Sequence, residues 1–161
     1  MQKEHSSFRD NSGFVFYQND NVYRAVSNTY QQQFDSFLSS GLYSQLVEQD
    51  LLIPHQEVPA NDCPLENSLA SQVYKILAPE KLTYISYPYE WCFQQLKDAA
   101  LLTLDIQLKA LEHNMPLKDA SAFNVQFHRG KPVFIDTLSF DNYAEGKPWV
   151  AYRQFSCHFL A

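Results

Sequence analysis

From Glu90 to His113 the chain runs without a proline or glycine, and Phe93, Leu96, Leu101, Leu104, Leu108 and Leu111 recur among good helix formers. This spacing predicts one helix of over twenty residues, apolar around much of its circumference and therefore central to whatever packs around it. Asn114 and Pro116 end it. A chain of 161 residues with 45% apolar and 19% charged residues has the length of about one domain and the composition of a packed globular protein.

The residues before this helix read as β-rich. Phe14–Tyr17 and Val22–Val26 flank Gln18-Asn19-Asp20-Asn21, a hairpin pattern, while residues 1–12 are polar and expected to fray. Ser27 or Asn28 can cap a helix carrying Tyr30, Phe34, Phe37 and Leu38 on one stripe, with Gly41 as its stop and a second short helix reaching Glu48. An irregular crossing is expected from Leu51 to Leu69, with a short strand at Leu51–Ile53. Further strands are expected at Val73–Leu77 and Leu82–Ser86, up to Pro88. After the long helix, Phe123–Phe127 and Pro132–Asp136 enclose His128-Arg129-Gly130-Lys131, a second hairpin. A last helix opens at Lys147-Pro148 and carries Tyr152, Phe155 and Phe159 on one stripe. Its apolar pattern meets no stop signal, so the chain is expected to be cut from a longer protein. Phe155, Phe159 and Leu160 are then expected to be partly exposed and to face a downstream domain.

Several function classes are excluded. The four glycines, Gly13, Gly41, Gly130 and Gly146, are too far apart to form a GxGxxG dinucleotide loop, a GxxxxGK[ST] phosphate loop or a GxSxG nucleophile elbow. A net charge of −6 with scattered basic residues argues against nucleic acid, which needs a clustered positive face. Cys63, Cys92 and Cys157 form no disulfide framework or zinc ligand pattern. With no signal-like N-terminus and no apolar run of membrane length, a cytoplasmic location is expected. The phrase Tyr84–Phe93, including Trp91, has two readings, the lining of a ligand cleft and, the one expected, core or inter-lobe packing; His128 is expected to be a solvated turn residue, and Cys157-His158 to have no third partner.

One constellation carries chemistry. Asp119 is followed by Asn124, then by the hairpin, whose returning strand ends in Asp136. With Arg129 and Gly130 as the turn, Asn124 faces Ile135 and Phe123 faces Asp136, which puts Asn124 and Asp136 within about 8 Å of each other. Asp119 lies on the loop feeding that end. Magnesium prefers carboxylate and amide oxygens, and phosphoryl transfer needs a further carboxylate to orient the attacking hydroxyl. Asp62 and Asn67 share the same spacing without the helix before or the hairpin after, so context rather than spacing gives the Asp119 copy its meaning.

The stretch from Leu117 to Thr137 resembles the catalytic loop and metal-binding hairpin of the protein-kinase-like superfamily, including its aminoglycoside-phosphotransferase branch. The resemblance implies Asp119 as the catalytic carboxylate, Asn124 and Asp136 as magnesium ligands, and ATP as cofactor, with Arg24 as the nearest substitute for the strand lysine that holds its phosphates. Departures are plain. Leu117 stands where the loop histidine would be, Asp136-Thr137-Leu138 replaces Asp-Phe-Gly, and no glycine-rich phosphate loop is present. A second resemblance covers nearly the whole chain. Tyr87-Pro88-Tyr89-Glu90-Trp91-Cys92-Phe93, the run Leu117–Phe127 and Trp149-Val150-Ala151-Tyr152-Arg153-Gln154-Phe155 are similar to the N-terminal region of a bacterial class I S-adenosylmethionine-dependent methyltransferase family related to a nodulation protein. That implies a parent protein using S-adenosylmethionine in a downstream domain, since the glycine-rich turn that binds this cofactor is missing here.

The expectation is an α+β, protein-kinase-like domain fragment. Residues 13–89 form a β-rich lobe, and 90–161 form a helical lobe with the hairpin after the catalytic-type loop. Three functions remain open: an accessory or substrate-recognition module of a methyltransferase-family protein, a magnesium-dependent phosphotransferase acting on a small molecule, and a structural docking domain.

Overall fold

The computed structural model describes residues 2–3, 11–59 and 67–160. It is an α+β chain whose backbone divides into two units, residues 1–35 with 54–81 and residues 36–53 with 82–161. The expected fraying segment lies mostly outside the described residues, as do Asp62 and Cys63. Ser12 belongs to the fold: it is buried, and its carbonyl accepts from the Ser27 N–H at 2.8 Å.

The first unit is an antiparallel sheet of β1 (Gln2–Lys3), β2 (Gly13–Gln18), β3 (Asn21–Ser27), β4 (His55–Val58) and β5 (Val73–Pro79), ordered β1-β2-β3-β5-β4. β2 and β3 form the expected hairpin. Its two-residue turn, Asn19 and Asp20, has φ of 49° and 61°, the left-handed geometry that matches strand twist and that Asn and Asp tolerate best after glycine. Strand alternation puts Phe14, Phe16, Ala25 and Ile76 on one buried face, where Tyr23 stacks on Phe16 at 5.4 Å. A short helix, α3 (Asn67–Ala70), precedes β5, and Leu69 packs against that face.

Two strand expectations are corrected. Leu51–Ile53 is not a strand of this sheet. Its backbone pairs with Phe134 instead, Ile53 N donating to Phe134 O at 2.9 Å and Phe134 N to Leu51 O at 2.8 Å. The strand in this region is β4, a polar edge strand with one partner, which needs no apolar alternation to form. Leu82–Ser86 is also not a strand. The Gln126 side-chain amide satisfies Ser86 in place of a neighbouring strand, accepting from its N–H and donating to its carbonyl, both at 2.9 Å.

The second unit is built on α4 (Phe93–Glu112). The helix starts three residues later than expected because Pro88–Glu90 forms a separate 3-10 turn, and Gln95 Oε1 then accepts from the Cys92 N–H at 3.0 Å as a cap. α1 (Gln31–Ser39) and α2 (Leu42–Glu48) meet at Gly41, whose φ of 84° lets the chain reverse there. Phe37, Leu42 and Leu46 pack with Ala99, Ile106 and Ala110 of α4, and Phe37 stacks on Phe140 at 4.4 Å. The expected hairpin is β6 (Val125–His128) with β7 (Lys131–Phe134), around Arg129 and Gly130 at φ 51° and 80°. β6 starts later than expected because residues 122–124 form a 3-10 turn, and β7 ends at Phe134, two residues before Asp136.

α5 (Tyr152–Phe159) begins later than Lys147-Pro148, and Phe155 is buried rather than partly exposed. It packs with Ala120 and Ala151, and its ring lies 5.7 Å from Trp149 and 5.0 Å from Phe159. α4 is not buried around its circumference either. Leu102, Ile106 and Ala110 face the core, whereas Leu101, Leu104, Leu108 and Leu111 are exposed. The Tyr84–Phe93 phrase is likewise mostly outside: Tyr84, Ile85, Tyr87, Tyr89 and Phe93 are exposed. Trp91 is half-buried, edge-on to Phe127 at 5.2 Å, with its Nε1–H donating to Ser86 Oγ at 2.8 Å. Among the described residues no helix is long and apolar enough to cross a membrane.

Candidate functional site

The loop after α4 is held from below by buried groups. Gln107, on the core face of α4, accepts from the Leu117 N–H at 2.8 Å, and the Trp149 indole donates to the Leu117 carbonyl at 2.7 Å. Leu117 is therefore fully buried and held through its backbone. Lys118 N donates to Ser139 O at 2.8 Å, which ties the loop to the segment after β7.

Asp119 then turns the chain locally. Its Oδ1 accepts from the Ser121 N–H at 3.0 Å, and Ser121 Oγ accepts from the Phe123 N–H at 3.2 Å, two side-chain turns in succession. They deliver Asn124 to the start of β6. The hairpin register pairs Val125 with Phe134, and Ile135 N donates to Asn124 O at 2.8 Å, so Asn124 faces Ile135 as the spacing implied.

The three expected site residues converge, through a fourth that sequence reasoning missed. Asn124 Nδ2 donates to Asp119 Oδ1 at 2.9 Å and to Ser139 Oγ at 3.2 Å, and the Ser139 hydroxyl donates to Asp136 Oδ2 at 2.8 Å. Asp136 Oδ1 accepts from the Leu138 N–H at 3.0 Å. Ser139 is fully buried. A serine three residues after the strand-ending aspartate is the only sequence trace of this link. His158 was missed too: its Nδ1 accepts from the Ala122 N–H at 3.1 Å and lies 3.2 Å from Ser121 Oγ, so α5 anchors the loop.

Arg24, the expected phosphate-holding residue, belongs to the first unit. It lies on β3 in the first unit, half-buried and opposite Val15 and Leu77. There it stands near His55, whose pKa falls to about 4, chiefly because burial penalises the charged ring and further because Arg24 and Lys75 repel it, against the pull of Glu57. Lys75 is itself drawn to Glu57, with Nζ to Oε1 at 2.6 Å, a contact that raises its pKa.

Magnesium takes oxygen ligands. Both Asp136 oxygens already accept hydrogen bonds, the Asn124 nitrogen is turned to Asp119 and Ser139, and the group between Asn124 and Asp136 is a hydroxyl. Asn124 uses only its nitrogen in these bonds, so its Oδ1 and the Asp136 carboxylate are the oxygens that would hold a magnesium ion. Among the described residues no three His, Cys, Asp or Glu side chains gather as a metal site.

The fold and this cluster together define an α+β chain whose polar loop and hairpin are closed into one hydrogen-bonded unit. No family model matches the chain. It is similar to Nodulation protein NoeA of Rhizobium meliloti (strain 1021), with 36% identity over 154 residues that cover 96% of this chain and 31% of that protein. The chain thus spans about a third of the length of this curated relative.

Proposed function

We propose that the chain is a non-catalytic, kinase-like accessory module that recognises substrate for an S-adenosylmethionine-dependent methyltransferase domain of a nodulation-related, cytoplasmic protein. The observation that carries this reading is the chain of hydrogen bonds from Asp119 through Asn124 and Ser139 to Asp136. A catalytic carboxylate must receive a substrate hydroxyl, and metal ligands must present oxygen to a cation. Here these groups bond to one another, which supports a role in shaping the loop. The kinase-like part of the proposal is supported by the strand order β1-β2-β3-β5-β4 with helices between β3 and β4, followed by a long helix, a loop and a hairpin. Arg24 sits on the third strand, where kinases carry a lysine for the phosphates. The similarity to a nodulation protein supports the nodulation-related part.

Titration of the chain with ATP and magnesium tests the proposal. No saturable binding is expected. Binding that disappears in Asp136→Ala would make the chain a phosphotransferase and end the accessory reading. Methyl transfer by the downstream domain, measured with and without this chain added in trans, then separates substrate recognition, which raises the rate, from docking, which leaves it unchanged.

A further inference from the structure

α4 presents two faces of opposite use. Counting from Gln94, the exposed positions include Gln94, Lys97, Leu101, Leu104, Leu108 and Leu111, the alternating three- and four-residue steps of a coiled-coil seam. Its last four members are leucines that are 54%, 37%, 63% and 41% exposed. They adjoin one another along the helix surface, since residues three and four apart are neighbours there. A row of leucines in water at this spacing has the form of a knobs-into-holes surface without its partner helix.

The charges beside the seam indicate the partner. One flank carries Asp98, Asp105 and Glu112 at seven-residue intervals. Lys109 pairs with Asp105 at 2.9 Å and Gln94 donates to Asp98 at 2.7 Å, which leaves Asp98 and Glu112 as the negative charge of the row, beside the seam's own Lys97, on a chain of net charge −6. The other flank is Phe93, Ala100 and Gln107, and Gln107 is buried with its side chain committed to Leu117. A second copy would therefore bring acid against acid in an antiparallel pair, or acid against uncharged residues in a parallel one. Neither supplies opposite charge.

We propose that the leucine seam of α4 docks an amphipathic helix of a partner protein, one with an apolar heptad seam and lysine or arginine along the flank that meets Asp98, Asp105 and Glu112. The surface is a helix-in-groove site in which leucines supply affinity and the acidic row supplies orientation. It is independent of the chemistry at Asp119.

The probe is a synthetic three-heptad peptide with leucine at both seam positions and lysine on the flanks, whose own charges oppose self-pairing. A twin peptide carries glutamate on the flanks. Calorimetric titration of the whole chain is expected to show binding of the lysine peptide that weakens as salt is raised, and at least about tenfold weaker binding when Leu104→Glu and Leu108→Glu are combined. Both positions face solvent, so the variant's circular dichroism and unfolding midpoint should match those of the parent. Absence of binding by the lysine peptide would overturn the proposal. Equal binding of the glutamate peptide would overturn it as non-specific apolar adhesion, and concentration-dependent dimerisation of the chain abolished by the same variant would assign the seam to a second copy.

Discussion

The amide nitrogen of Asn124 lies 2.9 Å from the carboxylate of Asp119, five residues earlier, and donates to it. The same nitrogen donates to Ser139, so Asn124→Ala removes two half-buried hydrogen bonds, one of them to a carboxylate. A loss of about 2 kcal/mol is expected, read as a lower midpoint in urea unfolding with an unchanged slope. Asn124→Asp should cost more, because a carboxylate then faces Asp119 where a donor stood.

Ser139 transmits this link to Asp136 through its hydroxyl. Ser139→Ala and Asn124→Ala therefore act on one network, and their effects should not add. A double-mutant cycle in the same assay is expected to show coupling of at least about 0.5 kcal/mol, and additive effects would mean that the network does not act as a unit.

His55 gives the first unit a pH dependence. Its pKa is about 4 in the folded chain against 6.5 for an unperturbed histidine. The unfolded chain thus takes up a proton at a higher pH than the folded one. The neutral folded ring contributes fully above about pH 6.5, and that contribution is lost as pH falls toward 4, up to about 3 kcal/mol in all. Urea unfolding of His55→Gln across this window should show a flatter dependence than the parent.

The two faces of α4 should respond oppositely to truncation. Ile106 is fully buried, and Ile106→Ala should cost about 2–5 kcal/mol through lost transfer energy and the cavity left behind. Leu108 faces solvent, and Leu108→Ala should stay within about 0.5 kcal/mol of the parent in thermal unfolding.

Gly130 isolates a backbone effect. At φ 80° nothing lies within 4 Å of an added Cβ, so Gly130→Ala meets no clash, only the left-handed conformation that L-residues avoid. A loss of about 1 kcal/mol is expected, measured by chemical unfolding.

Turns and helix existence were legible in the residues. Asn19-Asp20 and Arg129-Gly130 marked both hairpins, and the second turn also set the Val125–Phe134 register, because a two-residue turn leaves one way to pair the strands. The convergence of Asp119, Asn124 and Asp136 followed from that register. β4 was not legible, since a polar edge strand is defined by the neighbour it pairs with. Neither was the loss of a strand at Leu82–Ser86, where a side-chain amide forty residues later satisfies the backbone.

Local chemistry thus settled where the chain turns, where its long helix runs and which oxygens gather beside the second hairpin, because each depends on residues near in sequence. Tertiary packing decided how those oxygens are used and which side of α4 stays wet. Ser139, Gln107, Gln154 and His158 come from other elements to satisfy the loop, with Gln154 accepting from Ala120 N at 2.8 Å. Leucine has the same apolar character on either face of a helix, and its burial depends on whether another element covers it.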